Sequence, residues 1–197
     1  MESKLNEAKL TLWFRIILLV AFVTMIIAIG TQEAKYNSLQ NEYTSYRIEA
    51  QKQIGELEGE VDDMSTRMRK SMFIQREAEC LAKNIYFEAS NESYDGKMAV
   101  ATVTKNRVNA SGYPKTYCGV VYQGCQFSWT CNTNNKAITA NAEYRSAQKI
   151  AEEVLLMGKK SNIIDRTVMF YHAKYVKPSW AATRQAVTQI GSHIFYR

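Results

Sequence analysis

The chain has 197 residues, 46% of them hydrophobic and 22% charged, with a formal net charge of +6. Such a composition excludes a disordered polyelectrolyte, and the length suits one ordinary domain with appendages. The charge is uneven: residues 1–30 carry +1, residues 31–79 carry −3 and residues 80–197 carry +8. The basic excess of the C-terminal region points to an anionic partner there, but nucleic acid, anionic lipid and cell-wall polymer all satisfy it.

The first element is an apolar run over residues 10–30, uncharged from Ile16 to Gly30. As a helix it spans roughly 30 Å, the hydrocarbon thickness of a bilayer. Trp13 and Arg15 suit an interfacial anchor, with the arginine reaching back to the headgroups. The pattern predicts a single-pass anchor over 1–31, in the inner (cytoplasmic) membrane, with the remainder on the periplasmic or extracytoplasmic side. Ala28 and Gly30 also fit the small-residue rule of a signal-peptide cut, so secretion after cleavage is the competing reading.

Residues 32–74 contain no proline and read as a helical stalk. Apolar or aromatic residues recur at Tyr36, Leu39, Tyr43, Tyr46 and Ala50, then at Ile54, Leu57, Val61, Met64 and Met68. The steps alternate three and four, with one extra step of four at Ala50–Ile54, which is a heptad seam with a stutter. Gly55 and Gly59 weaken this helix by roughly 1 kcal/mol each relative to alanine. Self-association through the seam competes with a monomeric helix.

A folded domain is expected over 75–197. Residues 75–89 form a helical pattern, with Ala78, Leu81, Ala82, Ile85 and Ala89 on one face. Near its end, Glu88 follows Tyr86 and Phe87. A carboxyl group desolvated by such neighbours stays protonated at higher pH, as the proton donor of glycoside cleavage must. Glu92 lies four residues on; a continued helix would set it about 5–6 Å from Glu88, raising that pKa by repulsion, whereas a loop would turn it to backbone amides. Asp95 is expected to N-cap a second helix reaching about Asn109. Gly112 and Pro114 mark a loop, and Thr116 opens a short helix to Tyr122.

The four cysteines, Cys80, Cys118, Cys125 and Cys131, follow the apolar segment. An even number in an exported region reads as disulfides, with three connectivities open. Cys125 and Cys131 are near enough for a short loop, which would leave Cys80 with Cys118. A zinc site is the alternative, but there is no CxxC pair and only His172 and His193 are available. Residues 132–135 read as a loop, and 139–157 as a long amphipathic helix ended by Gly158. Residues 167–173 and 186–196 suit strands, broken at Gly191 by a bulge or turn. Helices followed by a small sheet make the domain α+β.

Seven segments of this domain, in order, resemble the SleB/CwlJ-type cell wall hydrolases, which include the spore-cortex-lytic enzymes. They begin with Cys80-Leu81-Ala82-Lys83-Asn84-Ile85-Tyr86-Phe87-Glu88-Ala89, then Gly96-Lys97-Met98-Ala99-Val100-Ala101 with Asn106-Arg107-Val108. Tyr113-Pro114, Cys118-Gly119-Val120-Val121-Tyr122-Gln123 and Cys125-Gln126-Phe127-Ser128-Trp129-Thr130-Cys131 continue the match. Tyr171-His172-Ala173, then Val176, Pro178 and Trp180, and finally Ile190-Gly191 with His193-Ile194-Phe195-Tyr196 complete it. The usual Glu-Ala-Arg-Gly-Glu of that family is here Glu88-Ala89-Ser90-Asn91-Glu92, with both carboxylates retained.

The resemblance implies a mostly helical, lysozyme-like catalytic domain with a small antiparallel sheet, acting on peptidoglycan rather than nucleic acid and needing no cofactor. It implies cleavage between N-acetylmuramic acid and N-acetylglucosamine by a lytic transglycosylase using one glutamate, which maps to Glu88. Glu92 and His172 are expected in support, and Gln126, Phe127, Ser128, Trp129 and Tyr171 as the sugar-binding surface. A stem-peptide amidase and a non-catalytic wall-binding module are the competing functions.

Overall fold

A computed structural model describes residues 2–131, 138 and 141–197, with only the backbone considered for residues 2–8. The expected loop over 132–135 and the first residues of the expected helix at 139–157 lie outside the described residues. The chain divides into two compact units, Met1–Ser65 and Thr66–Arg197.

From Glu2 onward the first unit is helical, part of α1 (Glu2–Ala89). Its apolar residues are exposed, among them Trp13 at 65% and Leu19 at 65%. The helix is long and apolar enough near its N-terminus to cross a membrane, a test that a signal sequence also passes.

In the second unit the end of α1 packs with α2 (Tyr94–Asn109), α3 (Tyr117–Val121) and α4 (Ala142–Leu156). Beyond them come β1 (Phe170–Ala173), β2 (Ala186–Ile190) and β3 (His193–Tyr196). The helix expected at 75–89 is thus the end of α1. Ser93, not Asp95, caps α2: its side chain accepts from the Gly96 N–H at 3.3 Å, and Asp95 sits within the first turn, where its charge favours the helix N-terminus. Thr116 caps α3 through the Gly119 N–H at 3.0 Å, and Asn141 caps α4 through the Tyr144 N–H at 2.9 Å.

Helix α2 organises the core because it is covered on two sides. Its Met98 and Ala101 join Leu81, Ile85, Ile150 and Val154 between α1 and α4. Its Ala99, Val100 and Val103 face Val168, Ile190 and Phe195 of the sheet side. A helix buried this fully must satisfy its polar side chains inside the fold. Thr102 accepts from the Ser161 N–H at 2.7 Å. The Asn106 amide donates to the Asp165 and Val168 carbonyls, both at 2.9 Å. Arg107 Nε donates to the Met169 carbonyl at 2.9 Å. These bonds fix the connector that leads into β1.

The sheet is antiparallel, in the order β1-β3-β2. Strand β1 begins at Phe170, later than the expected 167: the Val168 and Met169 carbonyls before it are taken by Asn106 and Arg107 of α2, while the Met169 N–H donates to the Tyr196 carbonyl. Gly191, at φ 55°, belongs to the two-residue turn between β2 and β3. The register shift falls earlier, between Ala186 and Thr188. Disulfides join Cys80 to Cys118 and Cys125 to Cys131, so the first ties α1 to α3.

Candidate active site

Glu88 lies in the last turn of α1, where the helix dipole already disfavours a negative charge. It is half-buried. Burial pushes its carboxyl above the usual carboxylate range; a hydrogen bond from Tyr171 and the charge of Arg107 oppose that shift without cancelling it. Tyr171 on β1 reaches Glu88 across the fold, its Oη donating to Oε2 at 3.3 Å. Burial and the adjacent carboxylate hold the phenol well above its usual pKa, so it remains a donor.

The sequence places Tyr86 and Phe87 beside this acid, and the fold turns them into an aromatic wall. Phe87 stacks on Trp129 with centroids 4.6 Å apart, and Tyr122 meets the same indole edge-on at 5.8 Å. Tyr86 packs edge-on against Phe87 at 5.2 Å and Tyr144 at 5.5 Å. Trp129 is part of this wall, half-buried, with no hydrogen-bond partner for its Nε1 among the described residues.

Arg107 was given no role by the sequence. It is buried near the end of α2, where a cation among apolar side chains requires partners. Besides the Met169 carbonyl it donates from Nη1 to Gln126 Oε1 at 2.8 Å, and its guanidinium lies 5.5 Å from the Phe127 ring centroid. One side chain therefore fixes both the approach to β1, which carries Tyr171, and the disulfide loop. Its position among buried apolar neighbours is the signal that marks it.

The other expected site residues separate. Gln126 and Ser128 are exposed on the loop, available to a ligand. Phe127 departs from the expected sugar-binding role: it is 4% exposed, packed under Arg107. Glu92 departs as well. Helix α1 stops at Ala89, so Glu92 is not one turn further along the Glu88 face. Its two oxygens accept the Ser192 N–H, each at 3.2 Å, and so anchor the β2–β3 turn.

His172 does not support Glu88. Adjacent strand residues point to opposite faces, so with Tyr171 directed at Glu88 the imidazole lies on the other side of β1. Both its nitrogens are engaged there, Nδ1 with the Ala173 carbonyl at 2.9 Å and Nε2 with the Tyr196 hydroxyl at 2.8 Å. His193 is buried, its Nδ1 3.8 Å from Glu92 Oε1. Burial lowers its pKa more than the neighbouring carboxylate raises it. Among the described residues no three His, Cys, Asp or Glu side chains gather as a metal site, and all four cysteines are in disulfides.

With a half-buried carboxyl at a helix end, an aromatic wall and a small antiparallel sheet in place, residues 91–196 match the Cell Wall Hydrolase family. The chain belongs to that family. Glu88 lies just before the matched stretch. The spore cortex-lytic enzyme of Oceanobacillus iheyensis is 28% identical over 127 residues, which cover 62% of this chain and 42% of that protein. That of Bacillus subtilis is 25% identical over 124 residues, covering 62% and 38%. The chain thus spans less than half the length of these curated relatives. Among solved structures, the catalytic domain of the germination-specific lytic transglycosylase SleB from Bacillus anthracis superposes with a TM-score of 0.52 at 26% identity. The match covers 62% of this chain and 95% of that one. The Bacillus cereus SleB catalytic domain gives 0.51 at 25%, covering 62% and 91%.

Proposed function

We propose that this protein cleaves the glycan strand of peptidoglycan between N-acetylmuramic acid and N-acetylglucosamine, with Glu88 as its single catalytic acid. The observation that carries this reading is the carboxyl of Glu88 held above its usual pKa by burial, beside a protonated Tyr171. The likeness to the catalytic domain of a lytic transglycosylase supports the reaction type.

In this reaction the protonated Glu88 donates to the glycosidic oxygen, and the bond from muramyl C1 breaks as positive charge develops on the sugar ring. The resulting carboxylate is stabilised by the Tyr171 hydroxyl and by the charge of Arg107. It then takes the proton of the muramyl 6-hydroxyl as that oxygen closes on C1, leaving a 1,6-anhydro end and a re-protonated acid. No second carboxylate is required, in keeping with Glu92 being committed to the Ser192 amide. The aromatic wall and the exposed Gln126 and Ser128 supply apolar and hydrogen-bonding surface for N-acetylated sugars.

The apolar start of α1 fits a membrane tether that presents this domain to the wall from the extracytoplasmic side. Digestion of purified sacculi tests the function. 1,6-anhydro muropeptides are expected; new reducing ends would make the enzyme a hydrolase, and freed stem peptides an amidase. Binding without any product would leave a wall-binding module and overturn the proposal.

A further inference from the structure

Residues 36–64 lie wholly in the first unit and are helical without interruption. Apart from Ala50, every apolar member of their three-four row is more than half exposed, from Ile54 at 54% to Tyr46 at 74%. A straight α-helix turns every 3.6 residues, so a row repeating every 3.5 drifts by about 20° per heptad unless the helix winds around a partner of the same period. A second helix with the same repeat meets that condition, and a second copy of the chain supplies one. The extra step at Ala50–Ile54 unwinds such a supercoil locally without breaking the row. Gly55 and Gly59 fall outside the row, with nothing within 4 Å of an added Cβ.

Charge selects the orientation. With Leu39, Tyr46 and Leu57 at d positions, Glu42 occupies a g position and Arg47 the following e position, and both are exposed. In a parallel, in-register pair a g residue faces the next e residue of the other helix. Glu42 then meets the partner's Arg47, twice by symmetry. An antiparallel pair centred near Ala50 instead sets Glu42 near the partner's Glu58 and Glu60, a repulsive contact. A shared membrane tether would also hold two copies in the same direction.

We propose that residues 36–64 bind a second copy of this chain as a parallel, in-register coiled coil flanked by Glu42–Arg47 pairs. This does not depend on the role of Glu88. The test is oxidative crosslinking of the full-length chain carrying one added cysteine, with dimer read on non-reducing gels. Leu39→Cys and Leu57→Cys should give covalent dimer, while the outward-facing Asn41→Cys and Glu56→Cys should not. A disulfide needs Cα atoms within about 7 Å, so residue 39 bonds to its own counterpart only in the parallel register. Dimer at none of these positions, equal dimer at all four, or dimer only when Leu39→Cys is mixed with Val61→Cys would each overturn the proposal. In the Leu57→Cys background, Glu42→Arg or Arg47→Glu alone should lower the dimer yield, and the two together should restore it. A yield indifferent to all three changes rejects the register.

Discussion

At the scale of single residues, two carboxylates four positions apart have opposite assignments, and the packing around each explains why. Glu88 gains burial and one phenolic donor, while Glu92 gains a backbone N–H bonded to both its oxygens. Glu88 must be protonated to start the reaction, so activity should fall as pH rises through its raised pKa. The Tyr171 hydrogen bond lowers that pKa. Tyr171→Phe removes it, so the alkaline limb of the pH–rate profile should move upward, with a lower maximal rate. A limb that stays in place, or moves down, would separate Tyr171 from the acid. Glu92→Gln should instead cost stability, roughly 1–3 kcal/mol in chemical denaturation, the penalty for weakening a part-buried carboxylate–amide bond. It should leave the pH limb unmoved.

At the scale of elements, the decisive event is the end of α1 at Ala89. A continued helix would have made Glu92 a neighbour of Glu88; a turn at 90–93 sends it to the β2–β3 turn instead. Gly191 in that turn combines φ 55° with close approach, since an added Cβ would lie 1.8 Å from Glu92 Oε2. Gly191→Ala should therefore destabilise the fold by about 1–3 kcal/mol, from backbone strain and a displaced carboxylate. A melting temperature within a degree of wild type would contradict this account of the turn.

The helices were legible because their signals are local: the cap at Thr116 and the stop at Gly158, whereas the Asn141 cap of α4 was not anticipated. The α2 cap was misplaced by two residues because Ser93 and Asp95 are both good caps, and only the turn before them decides. The sheet was legible in composition, but the start of β1 was not, since Asn106 and Arg107, more than sixty residues away, hold the preceding backbone. The same distance hid the partners of Glu88 and left Phe127 and His172 misassigned. Strand alternation alone separates Tyr171 from His172, but which face meets Glu88 is a tertiary fact.

At the scale of the molecule, a small basic domain is closed by two disulfides, bonds that persist in oxidising compartments. The Cys80–Cys118 bridge spans 38 residues. In the chain-entropy description its loss costs roughly 3–4 kcal/mol. Reducing agent, or Cys80→Ala with Cys118→Ala, should lower the denaturation midpoint accordingly, and an unchanged midpoint would show that α1 and α3 hold together without it. The proposed cleavage of a sugar-based polymer rests on the half-buried Glu88 and the aromatic wall beside it. The most direct test is muropeptide release from purified sacculi by the wild-type protein and by Glu88→Gln, with circular dichroism confirming that both are folded. A loss of about 10²–10⁴-fold in the variant is predicted, the range for removing a general acid. Full release of 1,6-anhydro products by Glu88→Gln would contradict the assignment of the acid.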